Sequence, residues 1–512
     1  MRICAAVFLL ASAYPLAGQP ASAPWSGYGH DPQHSGDSAN AAQTLNSIHW
    51  CTPVDTVLED TAGPLYIHYG TPVVTAANTV LVPQRISAGN TYQINAFSGG
   101  SGGKFGCSSP NTPLYTLTTD YTPPPHDWIP SYGAALALGT KYYYPGAGGT
   151  VYYRMSPDSA TGTEGQLAFY GLSTYQATPT AFNSTVMIST PITADHLGNI
   201  YFGFLVTGSN PASLQSGLAR ISADGIGSWV SAAALAAGDN SVVITQVQMN
   251  CAPALRLHED VLYIGLSSGN GTPGYLAAVD AASLAPIAHA HLIDPYTHQN
   301  ATILDDSSAA PTVGPDGDVY YGVFETSCTS VSCPNHDRGW LLHFNSTLST
   351  VKLPGAFGWD STASIVARSL LPGYQGSSSY LLLTKYNNYA ETGGNGQNYV
   401  AVNDPNTPMS DPVTGVSVMN VAAEQIGPTS SAPPAGSVRE WCINSAAIDP
   451  FTKSAIVNSE DGTTYRWDFT SNTLSQRMSL SPGVGEAYTP TVIGPDGTVY
   501  EITDAVLYAS GQ

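Results

Sequence analysis

Apolar residues recur along this chain in short alternating runs, each stopped by a Gly, Asp or Asn turn, and nowhere in the three-and-four spacing of an amphipathic helix. The repeated unit is clearest in Ser308 to Gly322, SAAPTVGPDGDVYYG, which returns as Ala487 to Glu501, AYTPTVIGPDGTVYE. A short opening run, an Asp-Gly turn, a second run rich in Val, Ile and Tyr, and a third run closed by a small acidic turn predict a meander of antiparallel strands. Eight such openings occur, at Gly70, Tyr132, Ser189, Cys251, Ala309, Ser361, Asn444 and Tyr488.

The first openings follow one another at intervals of about sixty residues, a fixed period that points to a propeller or solenoid. The last copy ends at Gln512 without a fourth strand, whereas Leu45 to Pro53 is a strand-like run with no opening hairpin before it. The two ends therefore complete one blade, and closing the ring removes the exposed sheet edges. The expectation is an all-β, eight-bladed propeller, with seven blades as the alternative, over residues 45–512. An insertion around 387–437 interrupts the period.

Length and composition agree with this reading. A chain of 512 residues exceeds one ordinary packed core, and 51 Gly, 38 Pro and 30 Tyr with only 10% charged residues suit many short strands and tight turns. Residues 1–23, with Arg2, an apolar stretch and Ala21-Ser22-Ala23, read as a secretory signal peptide, so the protein is expected to be secreted or periplasmic. No later stretch is apolar for long enough to span a bilayer.

The formal net charge of −21 argues against nucleic acid as a partner and suits a soluble exported surface. Six cysteines remain beyond the signal, an even number that fits disulfides in an oxidising compartment. Cys328 and Cys333 are close enough to close a short loop; Cys51–Cys107 and Cys251–Cys442 are the pairings expected for the rest. Residues 24–44 form an extended, polar entry segment, in which His30, Asp31, His34 and Asp37 suit turn bonding better than metal binding.

The Thr-Pro-Val-Val opening, the Asp-Gly-x-Val-Tyr-x-Gly hairpin, the Ala278-x-Asp280-x-x-Ser283 turn and the Gly29-His30-Asp31-Pro32-Gln33-His34 entry segment together resemble the pyrroloquinoline-quinone-like propeller repeat family. The resemblance covers most of the chain beyond the signal and implies the fold. Catalytic members are expected to hold the quinone against a vicinal disulfide, a stacking Trp, a calcium ion and a catalytic Asp. This chain has no adjacent cysteines, and Ala96 to Phe105 lacks the acid and Trp of the family's docking turn, so the quinone is not expected here.

In a propeller, the links leading into the innermost strands converge at the channel mouth. Candidate acid–base residues there are Asp305, Asp306, Asp360, Glu440 and His126. Candidate ligand-binding residues are His68, Tyr69, Trp128, Tyr132, Asn250, Trp359, Arg439, Trp441 and Glu486. Carboxylates beside aromatics offer oxygen ligands for Ca²⁺, or an acid and a base for a sugar stacked on Trp128, Trp359 or Trp441. Each residue taken alone is also explained by packing between blades or by bonding to backbone amides.

The functional expectation is a binding or scaffold module with a protein partner, small molecule or glycan at the mouth. The alternatives are an extracellular hydrolase or lyase on a glycan-type substrate and, behind it, a quinoprotein dehydrogenase.

Overall fold

The computed structural model describes residues 23–56, 70–86, 91–102, 105–108, 110–126, 132–305, 307–326, 333–482 and 489–512. It is an eight-bladed β-propeller. Blade 1 comprises Val73–Val74, Thr79–Arg85, Tyr92–Ser98 and Tyr115–Thr118, and blades 2 to 7 follow in chain order around the ring. Among the described residues the longest α-helix, Leu172–Ala177, has six residues, and no helix is long and apolar enough to cross a membrane.

Blade 8 is shared by the two ends of the chain. Val492–Ile493, Val499–Thr503 and Val506–Gly511 supply its three inner strands, and Ser47–Pro53 pairs antiparallel with Val506–Gly511 as the outermost, with Ser47 opposite Gly511 and Pro53 opposite Val506. Closure in this register buries Trp50 against Phe97 and Tyr500, with ring centroids 5.5 and 6.0 Å apart. It joins blade 8 to blade 1 in one apolar cluster.

The hairpin that repeats through the sequence closes each first strand onto the second. In blade 5, Gly314 NH donates to Asp318 O, and Asp316 Oδ1 accepts from the Asp318 amide. Gly317 occupies the left-handed region at φ 86°, where a side chain would be strained. Strands are buried on both faces because neighbouring blades pack sheet against sheet. The core is therefore a ring of clusters between successive blades rather than one central mass.

The entry segment folds into the channel. Innermost propeller strands leave one row of backbone groups unpaired toward the axis, and this segment satisfies them blade by blade. Trp25 pairs with Val74 of blade 1. The amides of Leu136, Leu255, Val313, Ile365 and Ile448 donate to the carbonyls of Ser26, Pro32, Gln33, Ser35 and Gly36 at 2.7–3.0 Å. A Cβ at Gly36 would lie 2.7 Å from Ala446 O, which explains a glycine where the segment presses on blade 7. Asp31 accepts from the amides of Gln33 and Ser35, and His34 Nδ1 lies 2.8 Å from Pro311 O. These side chains brace the segment's turns and its seat in the channel.

The Cys51–Cys107 disulfide is present, with the Cα atoms 5.3 Å apart. Cys333 is also disulfide-bonded, and its expected partner Cys328 lies outside the described residues. The expected Cys251–Cys442 pair is not formed. These residues belong to blades 4 and 7, and the buried Cys251 sulfur instead accepts from Gly265 NH inside its own blade. Burial pushes its thiol up to about 12, so it stays protonated.

Candidate functional site

First strands begin on one face of the ring, and the loops joining second to third strands lie on the same face. A cavity of about 410 Å³ opens there, lined by Leu304, Phe324, Asp337, Trp359, Tyr389, Glu391, Thr392 and Glu440. Leu304, Trp359 and Glu440 come from the links into the first strands of blades 5, 6 and 7. The remaining five come from the second-to-third-strand loops of blades 5 and 6.

Those two loops are tied to each other and to the ring. Glu325 accepts from the backbone amides of Asn335 and Asp337 at 2.9 and 2.8 Å, which clasps the loop carrying Asp337. Arg338 anchors it by a buried ion pair to Asp411, 2.7 Å. Thr392 Oγ1 donates to His336 O at 2.8 Å, and His336 Nδ1 lies 3.1 Å from Asn388 Oδ1. The wall is thus a built surface shared by two blades.

Electrostatics in the wall follow from burial. The Glu325 carboxyl is pushed up to about 7 because desolvation outweighs its two amide donors. Asp337 is also raised by burial, partly offset by His336. The Tyr389 phenol is held far above its ordinary value, first by burial and then by the negative charge of Glu440. Phe324 and Trp359 meet edge to face, centroids 6.3 Å apart at 67°, and form an aromatic corner of the cavity.

Behind that corner lies a buried cation. Lys385 Nζ sits 5.7 Å from the Trp359 ring centroid and 5.8 Å from that of Phe357. It is 3.6 Å from Asp360 Oδ2, with both side chains almost wholly excluded from solvent. Asp360 Oδ1 accepts from the Ser308 amide and hydroxyl at 2.7 and 2.6 Å.

Of the residues singled out in the sequence, Trp359 and Glu440 line the cavity and Asp360 lies buried behind it. Asp305 and Asn250 meet at a separate point, where Asn250 Nδ2 donates to Asp305 O and Gln248 Nε2 to Asp305 Oδ1. Arg439 faces Glu460 at 3.5 Å. Trp441 is fully buried against Tyr465. Tyr132 packs in an aromatic cluster with Tyr92 and Tyr121, and His126 Nδ1 lies 2.7 Å from Pro124 O. None of these last residues lines the cavity. Asp306, His68, Tyr69, Trp128 and Glu486 lie outside the described residues.

Phe324, Asp337, Tyr389, Glu391 and Thr392 stand on second-to-third-strand loops, outside the links into first strands that the repeat marks in the sequence. The irregular stretch after Tyr386 was the signal that a blade 6 loop had been enlarged. For a metal, the one group of close His, Cys, Asp and Glu donors among the described residues is Glu325, Cys333 and Asp337. Cys333 is committed to a disulfide, which leaves two carboxylates there.

No family model matches this chain, and no curated relative matches it either. Solved structures do resemble it. The quinohemoprotein alcohol dehydrogenase of Comamonas testosteroni aligns with a TM-score of 0.49 at 11% identity, covering 97% of this chain and 82% of the other. Sqt1 of Saccharomyces cerevisiae aligns at 0.47 and 10%, covering 92% and 99%. BamB of Moraxella catarrhalis aligns at 0.42 and 11%, covering 86% and 95%. Likeness of this order leaves activity open.

Proposed function

We propose that this protein is an exported binding module whose ligand site is the acid and aromatic cavity at the channel mouth. The observation that carries the reading is the construction of that cavity. Loops of two blades are clasped through Glu325, Arg338 and Thr392 to hold Asp337, Tyr389 and Glu391 opposite Trp359 and Glu440. Its volume falls in the range that suits a small ligand or a protruding group of a partner. The Cys51–Cys107 disulfide supports an oxidising, extracytoplasmic compartment.

The channel below is filled by the protein itself. The Tyr28 hydroxyl lies within 2.8 Å of Ser308 O, Thr362 Oγ1 and Asn444 Oδ1, reaching the links into the first strands of three successive blades. A quinone cofactor does not fit the residues present, since the vicinal cysteine pair is missing and the channel between these blades is taken.

A hydrolase or lyase reading draws on Asp337, a carboxyl raised by burial, in the same cavity as Glu440. Two carboxyls facing one cavity are what acid–base work on a glycan requires.

Thermal-shift screening of small cations, glycans and peptides, repeated on Trp359→Ala and Glu440→Gln, tests the site. Stabilising ligands should lose their effect in both variants. Ligands that stabilise wild type and variants alike would place binding elsewhere. Glycan turnover that disappears in Asp337→Asn would move the assignment from binding to catalysis.

A further inference from the structure

The mouth cavity has a lining of one charge sign. Three carboxylates and three aromatic rings line it, and among the described residues no Lys, Arg or His side chain does. Burial already works against ionisation of Asp337, so a positive charge entering the cavity would recover electrostatic energy that water no longer supplies. An anion would be repelled, and a neutral ligand would gain nothing from the charge of the lining.

The protein shows the same chemistry one layer deeper. The Lys385 ammonium is held between the rings of Phe357 and Trp359 and neutralised by Asp360, without bulk water around it. Trp359 belongs to both arrangements: it flanks the buried ammonium and lines the cavity. In front of it, Phe324 and Tyr389 take the place of Phe357, and Asp337, Glu391 and Glu440 the place of Asp360. Cation over aromatic face with a carboxylate counter-charge is how alkylated ammonium groups are recognised. The net charge of −21 would raise the local concentration of such a ligand at any ionic strength low enough to leave it unscreened.

We propose that the mouth cavity binds a small organic cation, seating an alkylated ammonium group against Trp359, Phe324 and Tyr389 and neutralising it with Asp337, Glu391 and Glu440. The assignment rests on the reading of this cavity as the ligand site and adds the class of ligand.

Calorimetric titration with choline and with its uncharged carbon isostere, 3,3-dimethylbutan-1-ol, separates charge from shape. Choline should bind at least about tenfold more tightly than the isostere, and its affinity should fall with added salt. Trp359→Leu, which keeps apolar volume but removes the π face, should weaken choline by about fivefold or more. The Glu391→Gln/Glu440→Gln pair should do the same, and because Glu391 is exposed at the rim its replacement leaves packing intact. Circular dichroism of each variant checks the fold.

Equal binding of choline and isostere, or choline affinity unchanged in both variants, overturns the assignment. A neutral glycan whose binding is lost in Trp359→Leu would overturn the cation class while keeping the cavity as the ligand site. If no ligand of any charge responds to Trp359→Leu, both readings fall.

Discussion

The Tyr28 hydroxyl lies 2.7 Å from the Asn444 side-chain oxygen, a buried contact between residues 416 positions apart. It makes the entry segment part of the ring, since the same hydroxyl also meets Ser308 of blade 5 and Thr362 of blade 6. Tyr28→Phe removes the hydroxyl and leaves buried acceptors short of a partner, at a cost of about 1–3 kcal/mol. Tyr28→Ala additionally opens a void against Ala252 and Ala310, and should cost about 3–5 kcal/mol. Urea unfolding followed by circular dichroism measures both, with the Ala variant the less stable. Equal stability of all three proteins would mean that the segment is not a structural member of the channel.

Much of this architecture was legible in the residues. The Asp-Gly hairpins, the eight openings and the unpaired strand at Leu45 to Pro53 fix blade number and closure, because strand alternation and turn chemistry are local properties. Trp359 and Glu440 were legible as mouth residues because they sit in links whose place in a propeller is set by topology. The channel filling by Tyr28 was not legible, since a polar Gly-rich segment carries no periodic signal and its partners come from six blades. Asp337 and Glu391 were hidden for a related reason: they lie on loops whose course depends on the Glu325 clasp and the Arg338–Asp411 pair, contacts that no local pattern announces. The Cys251–Cys442 pairing failed because cysteine parity says nothing of which blades the residues occupy.

Glu501, fully buried in blade 8, makes stability depend on pH. It accepts from Ser510 Oγ at 3.1 Å and Asn458 Nδ2 at 3.4 Å, and desolvation pushes its carboxyl up to about 7 from 4.5. Between those values the folded protein retains a proton that the unfolded chain releases. The contribution of Glu501 is therefore complete below pH 4.5 and is lost as pH rises through 7, on the order of 3 kcal/mol in all. Glu501→Gln cannot ionise, so its stability relative to wild type should rise across this window and level off above it. Chemical denaturation of both proteins at intervals from pH 4.5 to 8 measures the difference, in which Asp37 and Glu325, raised by burial in the same direction, cancel. A difference that does not change with pH would show that Glu501 titrates as an ordinary exposed carboxyl.

The Asp360–Lys385 pair is the remaining test, because it separates support of the mouth from chemistry at it. Both side chains are almost wholly excluded from solvent at a separation of 3.6 Å, so each is the other's principal counter-charge. Lys385→Met strands the carboxylate and Asp360→Asn strands the ammonium, and either change should cost about 3–5 kcal/mol. The double variant removes both charges and keeps the amide oxygen available to Ser308, so it should be destabilised by much less than the sum of the two. Denaturant unfolding of the four proteins closes the cycle. Strong favourable coupling assigns Asp360 to positioning Trp359 at the back of the cavity, and the double variant should then still bind whatever wild type binds. Additive costs, or binding lost in the double variant at near-normal stability, would instead mean that Asp360 serves the ligand directly.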